Sequence, residues 1–220
     1  MGLDMYIFKR TAGEGHNVEI AQQLAEKLAF VEGHERLSRM MADNGKLLDI
    51  DQFWTINAET PEEKRERLMR DITEELEKDQ AEYVIAKSLL TPENIAIGKS
   101  FSQDEAAYWR KANQIHAWFV KNVQDGEDDC GYYPLSQDKM RELMEVCQKV
   151  IEISKDNTLS VSEKEKQYET WLPSQEGFFF GSTAYDEYYL GDLENTIEQL
   201  MPLVEAELLP HEAYYYTSSW

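Results

Sequence analysis

Met5-Tyr6-Ile7-Phe8, near the start of the chain, combines aromatic and β-branched side chains as β-strands do. The glycine-rich residues 12–15 follow it and predict a turn. A second strand is predicted at residues 178–180, where three phenylalanines between two glycines make the most hydrophobic short run of the sequence. We therefore predict a small antiparallel sheet that pairs the N-terminal strand with the triple-phenylalanine strand. The tyrosine run at residues 214–216 fits either a docked strand or an exposed tail.

Helices are predicted to fill most of the remaining chain. Apolar residues first recur at helical spacing in the segment that ends at Gly33, which is the predicted stop of that helix. Residues 34–58 are predicted to be irregular, with a turn at Asn44-Gly45. Thr60 then begins a capping-box pattern, which predicts a charged helix that runs to about Lys87.

Further cap signals predict the helices of the second half of the chain. Ser102 begins another capping-box pattern, and the helix it opens is predicted to extend to about Asn122. Ser136 is predicted to cap a helix with one apolar face, and a short polar helix is predicted at residues 161–170. Thr183 is predicted to cap a long last helix. Together these elements predict an α+β, mainly α-helical fold in which the helices pack on the small antiparallel sheet.

The charge distribution limits the partners that the protein can have. The formal net charge is -21, and residues 167–220 contain ten carboxylates without a single lysine or arginine. A field of that sign repels nucleic acid, anionic lipid and anionic metabolites, so we expect no direct binding of nucleic acid or of a membrane. The expected partner is instead a protein with a basic surface. The oligomeric state stays open, and a homodimer is compatible with the sequence.

The sequence contains no targeting or cofactor motif that we can identify. It lacks the basic and apolar regions of a signal peptide, and no apolar run approaches the ~20 residues that a membrane span needs. We therefore expect a soluble, cytoplasmic protein whose two cysteines, Cys130 and Cys147, are reduced. These cysteines lack zinc-site spacing, and the acidic loop at 125–129 falls short of an EF-hand. No cofactor and no metal site are predicted.

A polar row on the predicted 102–122 helix is the densest candidate for chemistry. Trp109, Asn113 and His116 follow i, i+4, i+7 spacing beside an apolar face, which suits the wall of a pocket. His116 would act as acid or base, oriented by Asn113, with Arg110 as an anion clamp. The competing interpretation makes His116 and Asn113 structural residues at the edge of the core. The turn after residue 180 would form the opposite wall, so the pocket candidates are Asp4, Trp109, Arg110, Asn113, His116, Ser182, Thr183 and Asp186.

Rows of carboxylates form the predicted partner-binding surface. Such rows can occupy a basic channel that evolved to bind phosphates, with fast and salt-sensitive association. The competing interpretation is that the charge only keeps the protein in solution and that the charged helix after Thr60 is simply solvated. The residues predicted to bind the partner are Glu62, Glu63, Glu66, Glu74, Glu75, Asp128, Asp129, Asp186, Glu187, Asp192, Glu194 and Glu198.

Three sequence blocks together resemble a family of small uncharacterised proteins from phage and prophage genomes. The blocks are the opening Gly2-Leu3-Asp4-Met5-Tyr6, residues 108–119 (YWRKANQIHAWF) and residues 177–187 (GFFFGSTAYDE). The resemblance covers residues 1–10 and about 101–200. It implies a phage-related origin and no particular activity. It also implies that residues 34–100 are a charged helical insertion, because shorter relatives lack this stretch. Length and composition allow one domain or one domain with an appendage, and we predict a single domain, 1–220.

Three functions are compatible with these observations. The preferred one is a phage-associated acidic protein that binds and inhibits a nucleic-acid-binding host or defence protein in the host cytoplasm. The alternative is a small-ligand-binding protein or an enzyme that uses the predicted pocket, and enzymatic activity is the less favoured of the two. A structural or assembly role is least favoured, because the sequence has neither repeats nor a long coiled coil.

Overall fold

The computed structural model describes residues 2–42, 45, 48–53 and 59–220. The described residues form an α+β, mainly helical fold, so the predicted fold class is confirmed. The strands are β1 (Asp4–Thr11), β2 (Ser102–Arg110), β3 (Tyr133–Leu135) and β4 (Glu212–Ser219). The α-helices are α1 (Val18–Ala42), α2 (Pro61–Leu89), α3 (Pro92–Lys99), α4 (Asn113–Asn122), α5 (Gln137–Lys155), α6 (Val161–Trp171) and α7 (Glu187–Glu205).

The chain divides into two compact units. The sheet unit consists of Met1–Thr11 and Ser102–Trp220, and the helical unit consists of Ala12–Phe101. The predicted insertion at 34–100 lies inside the helical unit, which begins earlier, at Ala12. Each unit has its own cluster of buried apolar side chains.

All strands of the sheet unit join one antiparallel sheet in the order β2-β1-β4-β3. The predicted N-terminal strand is confirmed as β1, and it is central: Asp4 lies opposite Arg110 of β2 and Ser219 of β4. Met5 and Ile7 are fully buried because alternate side chains of a strand point to the same face. β1 therefore contributes an apolar row to the core of this unit.

The predicted pairing of β1 with residues 178–180 is wrong. Phe180 donates its N–H to the carbonyl oxygen of Gly177 at 3.2 Å, which closes a turn, and Phe178 is 94% exposed. The tyrosine run at 214–216 takes the place beside β1 instead, because β4 pairs with β1 along the whole length of both strands. All three tyrosines are buried. Of the two alternatives left open for this run, the docked strand is therefore the one observed.

Residues 102–110 form β2, so the helix predicted to start at Ser102 is wrong. The whole segment pairs with β1, and it buries Ala107 and Trp109. Pairing and burial in the sheet override the local capping-box signal. Lys111 has a left-handed backbone conformation with φ 61°, and α4 begins two residues later at Asn113. Trp109 and Arg110 therefore lie on a strand, whereas Asn113 and His116 lie on a helix.

The predicted end of the first helix at Gly33 is also wrong. α1 continues to Ala42, so residues 34–42 are helical rather than irregular. A glycine inside a helix costs about 1 kcal/mol relative to alanine, and packing of α1 against α2 and α3 offsets that cost. The predicted turn at Asn44 and the irregular stretch at 54–58 lie outside the described residues.

The last helix starts later than predicted, so Thr183 is not its cap. Asp186 caps α7, because its Oδ1 accepts hydrogen bonds from the N–H groups of Tyr188 at 3.0 Å and Tyr189 at 3.1 Å. α7 continues through Pro202 for one further turn to Glu205. A carboxylate is a stronger cap than a hydroxyl here because it also complements the helix dipole.

Two other predicted caps are confirmed. Thr60 and Glu63 form the reciprocal hydrogen bonds of a capping box at the start of α2. Ser136 accepts the N–H of Lys139 at 3.2 Å at the start of α5. The apolar face predicted for this helix is fully buried in the core at Met140, Leu143, Cys147 and Val150.

A side chain of α7 pairs with the outer edge of β2 at one residue, Tyr108. Gln199 donates its Nε2 to the carbonyl oxygen of Tyr108 at 2.9 Å, and its Oε1 accepts the N–H of Tyr108 at 2.8 Å. One side-chain amide thus satisfies both backbone groups that a neighbouring strand would otherwise pair. At the opposite edge of the sheet, β3 is three residues long and contains Pro134.

Candidate functional site

His116, the predicted acid or base, is fully buried and linked to two side chains. Its Nδ1 lies 2.9 Å from the hydroxyl of Tyr216, and its Nε2 lies 3.1 Å from Oδ2 of Asp128. Burial lowers the pKa of His116, whereas the neighbouring Asp128 opposes that shift. Asp128 also accepts the indole N–H of Trp220 at 3.0 Å. The network joins α4, β4 and the loop after α4, so His116 has a structural role in this fold.

Asn113 and Trp109 are also used by the fold. The side-chain amide of Asn113 donates to the carbonyl oxygens of Phe180 at 3.1 Å and Ser182 at 2.8 Å. Its Oδ1 accepts the N–H of Gln175 at 2.9 Å, so Asn113 holds the segment before α7 in place. The indole N–H of Trp109 donates to a buried threonine hydroxyl of α7 at 2.9 Å. The competing, structural interpretation of this polar row fits these contacts.

Arg110, Ser182 and Asp186 do meet, at a cavity of about 290 Å³ in the sheet unit. Asp4 and Thr183 are not among the residues that line it. Sequence reasoning missed Lys111 and Gln114 because β2 and α4 were predicted as one helix, and it missed the α7 side of the wall because the start of that helix was placed too early. The lining residues are Arg110, Lys111, Gln114, Gly181, Ser182, Ala184, Asp186, Tyr188, Tyr189 and Asp192.

The cavity brings cations and carboxylates together. The left-handed conformation of Lys111 places its stem beside Gly181, where a Cβ atom would lie 3.2 Å from Cβ of the lysine. Arg110 is 61% exposed, and its Nε lies 4.0 Å from the nearer oxygen of Asp4. On the α7 side, burial raises the pKa of Asp192, while a hydrogen bond from Gln114 at 3.1 Å opposes the shift. The cavity can therefore contact both an anionic and a cationic group.

The carboxylates predicted on α2 lie on a helix of mixed sign. Glu63 is engaged in the capping box that starts the helix, so it is not free to bind a partner. Arg67 pairs with Glu59 at 2.7 Å and with Asp71 at 3.5 Å. Other basic residues of α2 are interspersed along the helix with the exposed Glu62, Glu66, Glu74 and Glu75. The cations reduce the potential that these carboxylates can produce.

Several predicted partner-binding carboxylates of the sheet unit have structural hydrogen bonds. Asp128 bonds His116, and Asp186 caps α7. Asp129 accepts the N–H of Gly131 at 2.8 Å and the hydroxyl of Tyr133 at 2.9 Å, and these bonds lower its pKa. Each of these three carboxylates therefore helps to hold the fold in addition to carrying a charge.

Four exposed glutamates form a straight row along α7, which we call the acidic stripe: Glu187, Glu194, Glu198 and Glu205. Their offsets of seven, eleven and eighteen residues keep them within about 20° of one line on an α-helix. The row is about 27 Å long, given 1.5 Å rise per residue. Glu205 was missed from the sequence, although its helical spacing could have found it.

The helix that carries the acidic stripe supplies no countercharge of its own. α7 contains no lysine or arginine. Arg141 of α5 lies at its C-terminal end, where Nη2 donates to the carbonyl oxygen of Val204, beside Glu205, at 2.9 Å. Among the described residues, no ion pair involves a glutamate of the stripe. Like charges four residues apart, at Glu194 and Glu198, destabilise a helix, and Glu205 opposes the helix dipole at the C-terminal end. The stripe is therefore a feature that local helix stability alone would not favour.

No protein-family model, no curated protein and no solved structure matches the chain. Across the described ranges, no three histidine, cysteine or acidic side chains are placed to hold a metal ion. No helix found in the described part of the chain is both long and apolar enough to cross a membrane. The function has to be inferred from the geometry and charge of the chain itself.

Proposed function

We propose that the protein binds a partner protein with a basic surface through the acidic stripe of α7. The observation that supports this proposal is the row of four exposed carboxylates along one face of a single helix that contains no lysine or arginine. The overall charge of -21 adds long-range attraction to any basic surface. By occupying a site that evolved to bind phosphates, the stripe would inhibit the nucleic-acid-binding activity of the partner.

Rigidity favours the stripe over a disordered acidic segment as the binding element. α7 is anchored by buried Leu193 and Leu200 and by the hydrogen bonds of Gln199 to β2. Its carboxylates therefore lose little backbone entropy when they bind. The exposed Tyr188, 76% accessible, lies beside the first glutamate and can supply aromatic contact area.

The phage-related origin is part of the same proposal. It rests on the resemblance of three sequence blocks to phage and prophage proteins, and it places the partner in the cytoplasm of a bacterial host. A host or defence protein that binds nucleic acid has the basic channel that the stripe requires. Inhibition of such a protein is a function that needs no catalytic residue in this chain.

The decisive experiment compares two variants with the same change in charge. In the stripe variant, the four stripe glutamates are replaced by glutamine. In the control variant, four exposed glutamates of α2 are replaced in the same way: Glu62, Glu66, Glu74 and Glu77. Wild type and control should retain the same basic protein from host lysate at low salt, duplex DNA should displace it, and the stripe variant should not retain it.

Two outcomes of this experiment would contradict the proposal. Equal loss of binding in both variants would mean that net charge alone attracts the partner, without a specific surface. Unchanged binding by the stripe variant would mean that a different surface of the protein makes the contact.

A second candidate function is the binding of a small zwitterion in the cavity of the sheet unit. It is favoured by the two cations, Arg110 and Lys111, and the two carboxylates, Asp186 and Asp192, that line the same cavity. An α-amino acid has the matching pair of charges. α-Amino acids should raise the melting temperature, whereas the corresponding amines and carboxylic acids should not, and Arg110→Ala should remove the effect. Equal stabilisation by all three classes of compound would reject this candidate.

A further inference from the structure

The sheet unit has a further cavity, which we call the α4–α6 cavity because residues of α4 and residues 169–173 line it. Its volume is about 420 Å³, within the range of about 300–1,000 Å³ that is typical of small-molecule sites. Of the described residues, Gln114 alone also lines the cavity of Arg110 and Lys111. The acidic stripe contributes no residue to the α4–α6 cavity, so this cavity can have a ligand of its own.

Two tryptophans and a proline give the cavity an apolar, aromatic side. Trp171 is the last residue of α6 and is 48% exposed, and Pro173 follows it by two residues. Among the described residues, no aromatic ring packs against the indole ring of Trp171. A large ring that is half in solvent gains buried area when a ligand covers it. Trp171 is therefore available as a stacking surface.

Trp118, on α4, presents a hydrogen-bond donor without a partner. The residue is 8% exposed. In the part of the chain that the structure describes, no group accepts its indole N–H, and this N–H is not among the polar groups that are sealed from solvent. The indole N–H of a buried tryptophan usually has a partner. Because Trp118 lines the α4–α6 cavity, a ligand there can supply the missing acceptor.

Three further polar side chains line the cavity with hydrogen-bonding capacity to spare: Lys121, Asn122 and Glu169. Within the described ranges, neither Lys121 nor Glu169 has an ion pair. Asn122 donates its Nδ2 to the carbonyl oxygen of Trp118 at 2.8 Å, which leaves its Oδ1 to accept from a ligand. The cavity therefore offers nitrogen donors and oxygen acceptors together, and its two charges have opposite signs.

We propose that the α4–α6 cavity binds a neutral sugar in its pyranose form. Each hydroxyl of a sugar both donates and accepts, so the sugar can serve the donors Trp118 and Lys121 and the acceptors Asn122 and Glu169 at the same time. The C–H groups of a pyranose ring carry a slight positive charge and can lie on the negative face of the Trp171 indole. A neutral ligand is also not repelled by the overall charge of -21.

Other ligand classes match these groups less well. An anion would meet Glu169 and the overall negative charge, and a cation would meet Lys121. A purely aromatic ligand would cover indole surface but leave the polar groups without partners. A metal ion is disfavoured, because no three histidine, cysteine or acidic side chains of the described residues are placed to hold one.

The test titrates the methyl pyranosides of glucose, galactose and mannose and follows the indole N–H resonances of the five tryptophans by NMR. A Trp118→Phe spectrum identifies the resonance of Trp118. At least one of the glycosides should shift this resonance saturably in wild type. The stripe variant should bind the same glycoside with unchanged affinity, because no stripe glutamate lines the cavity. This result separates the sugar site from the binding of a basic protein.

Two matched pairs of variants locate the site. Trp171→Ala removes the stacking surface and should weaken binding at least about tenfold. Trp220→Ala should not, because Trp220 is similarly exposed, at 49%, but does not line the cavity. Glu169→Gln should weaken binding, because hydrogen bonds to a charged acceptor are the stronger ones. Glu165→Gln carries the same change in charge one turn earlier on α6, outside the cavity, and should leave the affinity unchanged.

The proposal is overturned if none of the three glycosides gives a saturable shift in wild type. It is equally overturned if glycerol, which has hydroxyls but no ring face, or benzyl alcohol, which has a ring but a single hydroxyl, binds as tightly as the glycoside. Equal affinities of Trp171→Ala and Trp220→Ala would also contradict it.

Discussion

α2 and α7 are both exposed, acid-rich helices, yet they present different surfaces. α2 carries nine carboxylates together with six basic residues, whereas α7 carries five carboxylates and no basic residue. The helix with fewer acids therefore has the stronger local negative field, because it contains no basic residue of its own. The difference shows that the number of carboxylates in a segment does not by itself locate a docking surface. In the binding proposal, α7 is preferred to α2 because its glutamates are aligned and the helix has no basic residue.

The largest expected effect is a difference in affinity for a basic peptide between the variant of α7 and the variant of α2. An oligo-arginine peptide should bind wild type at low salt, and the stripe variant should bind it about tenfold or more weakly, because each exposed ion pair contributes about 0.2–1 kcal/mol. The α2 control variant should lose no more than about twofold. Isothermal titration calorimetry at two salt concentrations measures both values. Equal losses in the two variants would remove the distinction between α2 and α7.

The second prediction separates carboxylates that hold the fold from those of the stripe. Asp128→Ala removes the acceptor of His116 and of Trp220, and it should lower the free energy of unfolding by about 2–4 kcal/mol. Glu194→Ala should change it by less than about 0.5 kcal/mol. Denaturant unfolding measures both variants. A neutral Asp128→Ala would mean that the buried network of His116 does not stabilise the sheet unit.

The third prediction concerns the pH dependence of stability. Because burial lowers the pKa of His116 in the folded state, the unfolded chain takes up the proton first as the pH falls below about 6.5. Stability should therefore decrease between about pH 6.5 and 5, by at most about 1.4 kcal/mol per pH unit for this one group. The melting temperature of His116→Gln should depend less steeply on pH in this range. The stripe variant should keep the slope of wild type, and an unchanged slope in His116→Gln would refute the assignment.

The smallest expected effect is a change in melting temperature when a charge is reversed at the C-terminal end of α7 or the N-terminal end of α2. Glu205→Lys places a cation at the C-terminal end of α7 and should raise the melting temperature by about 1–3 °C. Glu62→Lys places a cation in the first turn of α2 and should lower it by a similar amount. Differential scanning calorimetry resolves both shifts. A decrease for Glu205→Lys would mean that this glutamate has a stabilising contact in solution.

Sequence patterns succeeded where the deciding interactions are local. The capping box of Thr60 and Glu63 and the cap at Ser136 join residues three apart, so the chain specifies them directly. The apolar face of α5 follows from helical periodicity alone.

Sequence patterns failed where partners lie far apart in the chain. β1 pairs with β2 about 100 residues later and with β4 about 210 residues later, and no local signal encodes those registers. The partners of His116 on the loop after α4 and on β4 were missed for the same reason. Within the described ranges, neither ring nitrogen of the buried His34 on α1 has a hydrogen-bond partner, and this could not be predicted because it results from packing of α1 against α2.

The closure of the sheet by Gln199 restricts how any other chain can attach. A peptide that adds itself to a sheet needs a row of free backbone donors and acceptors. At one border, the amide of Gln199 already occupies such groups on Tyr108, and at the other, Pro134 lacks an N–H in a strand of three residues. Strand addition, the common route to β-mediated dimers and fibrils, is therefore hindered on both sides.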